Sequence, residues 1–114
     1  MPIGTPVLIA DNTTYASETL NTTADIPIGS TVVVTLGTNE DASASTVSDG
    51  TANTYVPVVQ NTPEAGYYTS PIFVCEKTVA DIPSGTAFSG YDAEATELYI
   101  STIVSVQGAM AAST

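Results

Sequence analysis

Thr31-Val32-Val33-Val34-Thr35-Leu36 is a run of β-prone residues closed by Gly37. In an extended chain Val32, Val34 and Leu36 fall on one face, and Thr31, Val33 and Thr35 on the other. β-Branched side chains fit a pleated, half-buried surface better than a helix. The C-terminal stretch Leu98-Tyr99-Ile100-Ser101-Thr102-Ile103-Val104-Ser105-Val106-Gln107 repeats the signal at greater length. Strict alternation places Leu98, Ile100, Thr102, Val104 and Val106 on one face. The other face is then polar, with Tyr99, Ser101, Ser105 and Gln107, and Ile103 is its exception. Gly108 closes the strand.

Shorter runs fill the rest of the chain. Val7-Leu8-Ile9-Ala10 lies between Pro6 and Asp11, and a second strand falls within Tyr15 to Thr23. Thr46-Val47-Ser48 and Thr54-Tyr55-Val56-Pro57-Val58-Val59 flank Asp49-Gly50, a pair that signals a hairpin. Pro57 assigns the later run to a sheet edge or a bulge, because proline has no N–H for the ladder. Ile72-Phe73-Val74-Cys75 alternates, and Thr86 to Tyr91 is a looser segment. About seven to eight short strands with frequent turn signals predict an all-β chain, an immunoglobulin-like or jelly-roll β-sandwich. The 114 residues are expected to form one domain, 1–114, with an extended N-terminal arm over about 1–10 and a short C-terminal tail over about 108–114.

Charge narrows the function. Twelve acidic side chains, one lysine, no arginine and no histidine give a formal net charge of -11. Lys77 alone cannot neutralise a phosphate backbone, so no nucleic-acid partner is expected. No apolar run approaches the roughly 20 residues of a membrane span, so no membrane partner is expected either. The opening residues carry no cationic region of the kind that begins an export signal. Without imidazole there is no Ser-His-Asp or Cys-His arrangement, and no phosphate-cradling glycine loop is present. No enzyme activity is expected. Cys75 is the only cysteine, so no intrachain disulfide forms; its apolar neighbours mark it as a small buried hydrophobe.

The acids collect at turns: Asp25, Glu40-Asp41, Asp49, Asp81 and Asp92-Glu94-Glu97. Solvated loops that keep the molecule soluble are the simpler reading. Carboxylate oxygens also suit Ca²⁺, and Glu40-Asp41, Asp49 and Asp92-Glu94-Glu97 are the candidate loops, although none has EF-hand spacing. No other cofactor is expected.

One motif occurs twice. Ala24-Asp25-Ile26-Pro27-Ile28-Gly29-Ser30 returns as Ala80-Asp81-Ile82-Pro83-Ser84-Gly85-Thr86. Proline presets φ at one turn position, glycine supplies a positive φ, and the isoleucine before proline is held extended as an anchor. Two independent loops of the same chemistry would produce this echo. So would a duplication, or two symmetry-related loops at one end of a sandwich.

The segment Asp25 to Val34, followed by Thr46 to Tyr55, resembles a recurrent module of tailed-phage virion proteins. In that module a Pro-x-Gly turn feeds a valine-rich strand, and a Val-Ser-Asp…Gly-Asn-x-Tyr turn follows. Here Gly50 and Asn53 are separated. The resemblance covers about half the chain and brings no catalytic residues. It implies a sandwich on the outside of a particle, assembled in the host cytoplasm: a capsid decoration (cement) protein, or a tail or fibre component. Similar modules occur in bacterial surface proteins.

The expected partners are therefore major capsid or other virion proteins, together with further copies of the chain as a homo-oligomer. Candidate interface residues are the apolar arm residues Ile3, Val7, Leu8 and Ile9, the pair Tyr67-Tyr68, and Met110. Tyrosine suits such a role because it joins an apolar body to a polar tip. Exposed loop tyrosines also fit a second reading, a glycan- or receptor-recognition module.

Overall fold

A computed structural model describes residues 4–11, 18–38, 45–59, 70–92 and 98–107. Within them lie eight strands and no helix: β1 (Val7–Asp11), β2 (Thr19–Asn21), β3 (Ser30–Thr38), β4 (Ser45–Ser48), β5 (Val56–Val59), β6 (Ile72–Cys75), β7 (Ala87–Asp92) and β8 (Leu98–Gln107). They form two antiparallel sheets, one of five strands in the order β1-β8-β3-β6-β5 and one of three in the order β2-β7-β4.

The pairing is nested: β1 with β8, β2 with β7, β3 with β6. This is a long antiparallel ribbon rolled into two layers, the jelly-roll arrangement. In the immunoglobulin alternative the first two strands share a sheet; here β1 and β2 lie in different sheets. The innermost pair of the ribbon, β4 with β5, does not form. The hairpin expected at Asp49-Gly50 is instead a crossing between layers, because β4 pairs with β7 and β5 with β6. Residues 49–55 are too long a connection for a two-residue turn, and the Asp49 side chain is drawn inward. Pro57 does mark an edge: β5 ends the five-stranded sheet, and Val58 is an extra residue between Pro57 and Val59.

Both layers contribute to a single core. Val32, Val34 and Leu36 of β3, Phe73 and Cys75 of β6, and Ile9 and Ala10 of β1 meet Phe88 of β7, with Leu20 and Val47 packed against them. The inward face of β3 is the one its alternation predicts. The longest strand departs from prediction. Leu98 and Ile100 point inward, but so do Ile103 and Ser105, while Val104 and Val106 turn outward and are only half-buried. The cause is a bulge: Thr35 faces Thr102 and Leu36 faces Ile100, which leaves Ser101 as an extra residue. One extra residue reverses every later side chain. Ile103, the apparent exception, was the residue in register with the core.

The repeated motif closes one end of the sandwich as a symmetric pair. Ile26 and Ile82 form an antiparallel bridge, N–H to O in both directions at 2.8 and 3.0 Å, and both side chains are fully buried. Each aspartate caps the opposite turn: Asp25 Oδ1 accepts from Ser84 N–H at 2.7 Å, and Asp81 Oδ1 from Ile28 N–H at 3.2 Å. Gly29 N–H donates to Thr78 O and Gly85 N–H to Thr22 O, each at 2.9 Å. The hydroxyls follow suit, Thr78 Oγ1 donating to Pro27 O and Thr22 Oγ1 to Pro83 O, both at 3.0 Å. The true repeat therefore begins at Thr22 and Thr78, earlier than the echo legible in sequence. The symmetry extends into the sheets, for β8-β3-β6 in one layer corresponds to β4-β7-β2 in the other.

Candidate functional site

Asp49 is the most constrained acid among the described residues. Its Oδ1 accepts from Thr51 N–H at 2.8 Å and Thr51 Oγ1 at 2.6 Å; its Oδ2 accepts from Asn53 Nδ2 at 3.1 Å and Tyr55 Oη at 2.7 Å. Asn53 reaches onward: its Nδ2 donates to Ala80 O, and its Oδ1 accepts from Val79 and Ala80 N–H. Tyr55 packs edge-on against Phe88, with ring centroids 5.6 Å apart. Burial alone would raise the Asp49 carboxyl, but the hydrogen bonds from Thr51, Tyr55 and Asn53 outweigh it and hold the group below the ordinary aspartate value. Burial first, and then the Asp49 carboxylate, push the Tyr55 phenol well above its usual range. Four donors fill the lone pairs of Asp49, so this aspartate has no room for a cation. The network is an internal clamp that ties the crossing 49–55 to the start of the second turn.

The surface of the five-stranded sheet is different in kind. Register places Leu8 opposite Val104, Val104 opposite Val33, Val33 opposite Val74, and Val74 opposite Val56. Directly opposed residues share a face. These five therefore form one apolar row across all five strands, on the side away from the core. Its ends stand out, with Leu8 57% and Val56 55% exposed, and its middle is half-buried by its own neighbours. At β5 and β6 the row runs into an open apolar groove of about 770 Å³, lined by Val56, Val58, Val74 and Val79 and bordered by Glu76 and Lys77. The outer face of the other sheet carries Ser48, Ser89 and Thr19 in its corresponding row.

The residues named from sequence fall into three groups. Val7 and Leu8 are exposed, as an interface role requires. Ile9 is buried within the chain's own core, and β1 pairs with β8, so the arm from Val7 onward belongs to the chain's own sheet. Ile3, Tyr67, Tyr68 and Met110 lie outside the described residues, as do the acids Glu40, Asp41, Glu94 and Glu97 and the tail 108–114. Among the described residues no three His, Cys, Asp or Glu side chains come together as a metal site would need, and no helix is long and apolar enough to cross a membrane. Cys75 is buried and free; burial pushes its thiol up, away from the reactive thiolate.

Val33, Val56, Val74 and Val104 escaped the sequence reading as surface residues. Their signal was available at Val33 and Val74, valines on the outward parity of a chain otherwise rich in acid. The bulge at Ser101 concealed it at Val104. The chain matches no family model, no curated protein and no solved structure.

Proposed function

We propose that the chain is a structural assembly protein of a virion, most concretely a capsid decoration (cement) protein that binds and stabilises a larger protein shell on its outer surface. One observation carries the reading: an uncharged apolar row, Leu8-Val104-Val33-Val74-Val56, crosses an outer sheet face in a chain of net charge -11. Soluble domains rarely keep such a stripe open to water without a use for it. The buried polar groups add support, since Asp49, Asn53 and Tyr55 are spent on one another and on backbone rather than aimed at a reactant. Jelly rolls recur in viral capsid and lectin domains, a likeness of fold that carries no function by itself. No catalytic role, nucleic-acid partner or membrane partner is assigned.

Mass spectrometry of purified particles tests the proposal. The chain should be present at fixed stoichiometry to the major shell protein, and particles stripped of it should disassemble at lower temperature. Its absence from purified particles would overturn the reading.

A further inference from the structure

We infer that the outer face of the five-stranded sheet is a self-association surface, on which a second copy of this chain packs face to face. The inference rests on the assembly reading and names the occupant of that same face. Charge is the first argument. The row Leu8-Val104-Val33-Val74-Val56 contains no ionisable group. The acids near it, Asp11 in β1 and Glu76 after β6, stand at its margins. A partner selected by charge would find nothing to pair with in the middle of this face. An identical row buries no charge against it, and Asp11 stays on the edge strand of the same face.

Geometry is the second argument. Sheet-to-sheet continuation through an edge is blocked on both sides. β5 carries Pro57 and the extra residue Val58, while β1 carries the extra residue Ile9, whose carbonyl is taken by the backbone and hydroxyl of Thr23. Proline and bulges are the usual means of blunting an edge. The five-stranded sheet is left to meet a second copy by its face, as sheets do within a sandwich, about 10 Å apart. The row is apolar from end to end, so a two-fold axis can lay it on its own copy, as an isologous contact requires.

Area is the third. Five strands about 4.8 Å apart and about six residues of length at roughly 3.3 Å each give on the order of 500 Å² of face. A pair then buries on the order of 1,000 Å², the lower limit for a specific interface. An interface at that limit is of the weak, reversible kind. Because two chains of net charge -11 repel each other, it tightens as salt rises.

Sedimentation velocity over a dilution series, at low and high salt, tests this with the wild-type chain, Val33→Lys and Ser89→Lys. Val33 and Ser89 occupy corresponding central positions on the two outer faces. The wild type should dimerise, with affinity rising several-fold on going from about 0.05 to about 0.5 M salt. Ser89→Lys should retain the dimer, and Val33→Lys should be monomeric with an unchanged far-UV spectrum. Should Val33→Lys fail to fold, the exposed ends of the row serve instead, and Leu8→Lys with Val56→Lys should abolish the dimer. A wild type monomeric throughout, or a dimer lost equally in Ser89→Lys, overturns the inference. A monomer that still saturates the shell removes only self-pairing and leaves the shell-binding proposal standing. A dimer without shell affinity supports self-pairing and removes the shell-binding proposal.

Discussion

The two halves of this sandwich agree on the inside and disagree on the outside. Inside, Asp25-Ile26-Pro27 and Asp81-Ile82-Pro83 make the same bridge, the same reciprocal caps and the same threonine contacts, and each turn feeds the central strand of its sheet. Outside, the central rows are Val104-Val33-Val74 in one layer and Ser48-Ser89-Thr19 in the other. Equivalent backbone carries opposite surface chemistry. The turn contacts that close the fold are alike in the two halves, and the side chains facing outward are not. That division sets the outer face of one layer apart from that of the other, and it is the five-stranded layer on which the self-association proposal rests.

The largest test of the inner equivalence is removal of its two anchors. Ile26→Ala and Ile82→Ala should each cost about 3 kcal/mol, because both side chains are fully buried and leave a cavity. Each should lower the melting temperature by roughly 10–15 °C. Calorimetry should find the two losses within about 1 kcal/mol of each other. A wide gap would show that only one turn holds the sandwich closed.

The clamp at Asp49 follows β4 in the first half and reaches across to the second turn, where Asn53 bonds Val79 and Ala80. Asp49→Ala strands the Tyr55 hydroxyl and the Asn53 amide, with an expected loss of about 2–3 kcal/mol in urea unfolding. Tyr55→Phe removes one hydrogen bond and should cost about 1 kcal/mol. The pH dependence follows from the depressed carboxyl. The stabilisation is complete above the unfolded value of about 3.9, and it is lost as pH falls through the lower folded value. Asp49→Asn has no such charge to lose, so its stability should change less than the wild type's below about pH 4. Equal acid slopes for the two would remove Asp49 as the source.

Particular residues show what could be seen before the structure. The all-β class followed from β-branched alternation at Val32, Val34 and Leu36, whose inward face is the one predicted. Pro57 announced an edge because a missing N–H is a local fact. The assignment failed wherever one residue of register mattered: Ser101 is an ordinary strand residue by propensity, and nothing local says it will bulge and turn Ile103 inward. Asp49-Gly50 failed for a related reason. Its turn chemistry is genuine, but the partners of Asp49 arrive from Thr51, Asn53 and Tyr55, and those of Asn53 from Val79 and Ala80 across the layers. The outer row was hidden because a row across a sheet joins residues far apart in the chain.

The paired turns also permit a gentler comparison. Gly29 and Gly85 have φ of 88° and 87°, and a Cβ at either would meet open space. Alanine at each should therefore cost backbone strain alone, about 1–2 kcal/mol. Matched losses on thermal unfolding would show that the two turns bear equal strain.

The smallest expected effect on stability separates the two outer faces most directly. Val33→Ser should cost no more than about 1 kcal/mol, the scale of one cross-strand pair, since Val33 points away from the core. Ser89→Val should gain a few tenths of a kcal/mol, about the difference in strand preference on an exposed face. The two should move self-association in opposite directions, Val33→Ser weakening it and Ser89→Val creating a second adhesive layer. The decisive comparison is therefore between melting temperature and light scattering on the same samples. If Val33→Ser unfolds the chain, Val33 is a core residue in disguise and the contrast between the layers collapses. If scattering shifts while melting barely does, the valine row is the surface through which copies of the chain meet.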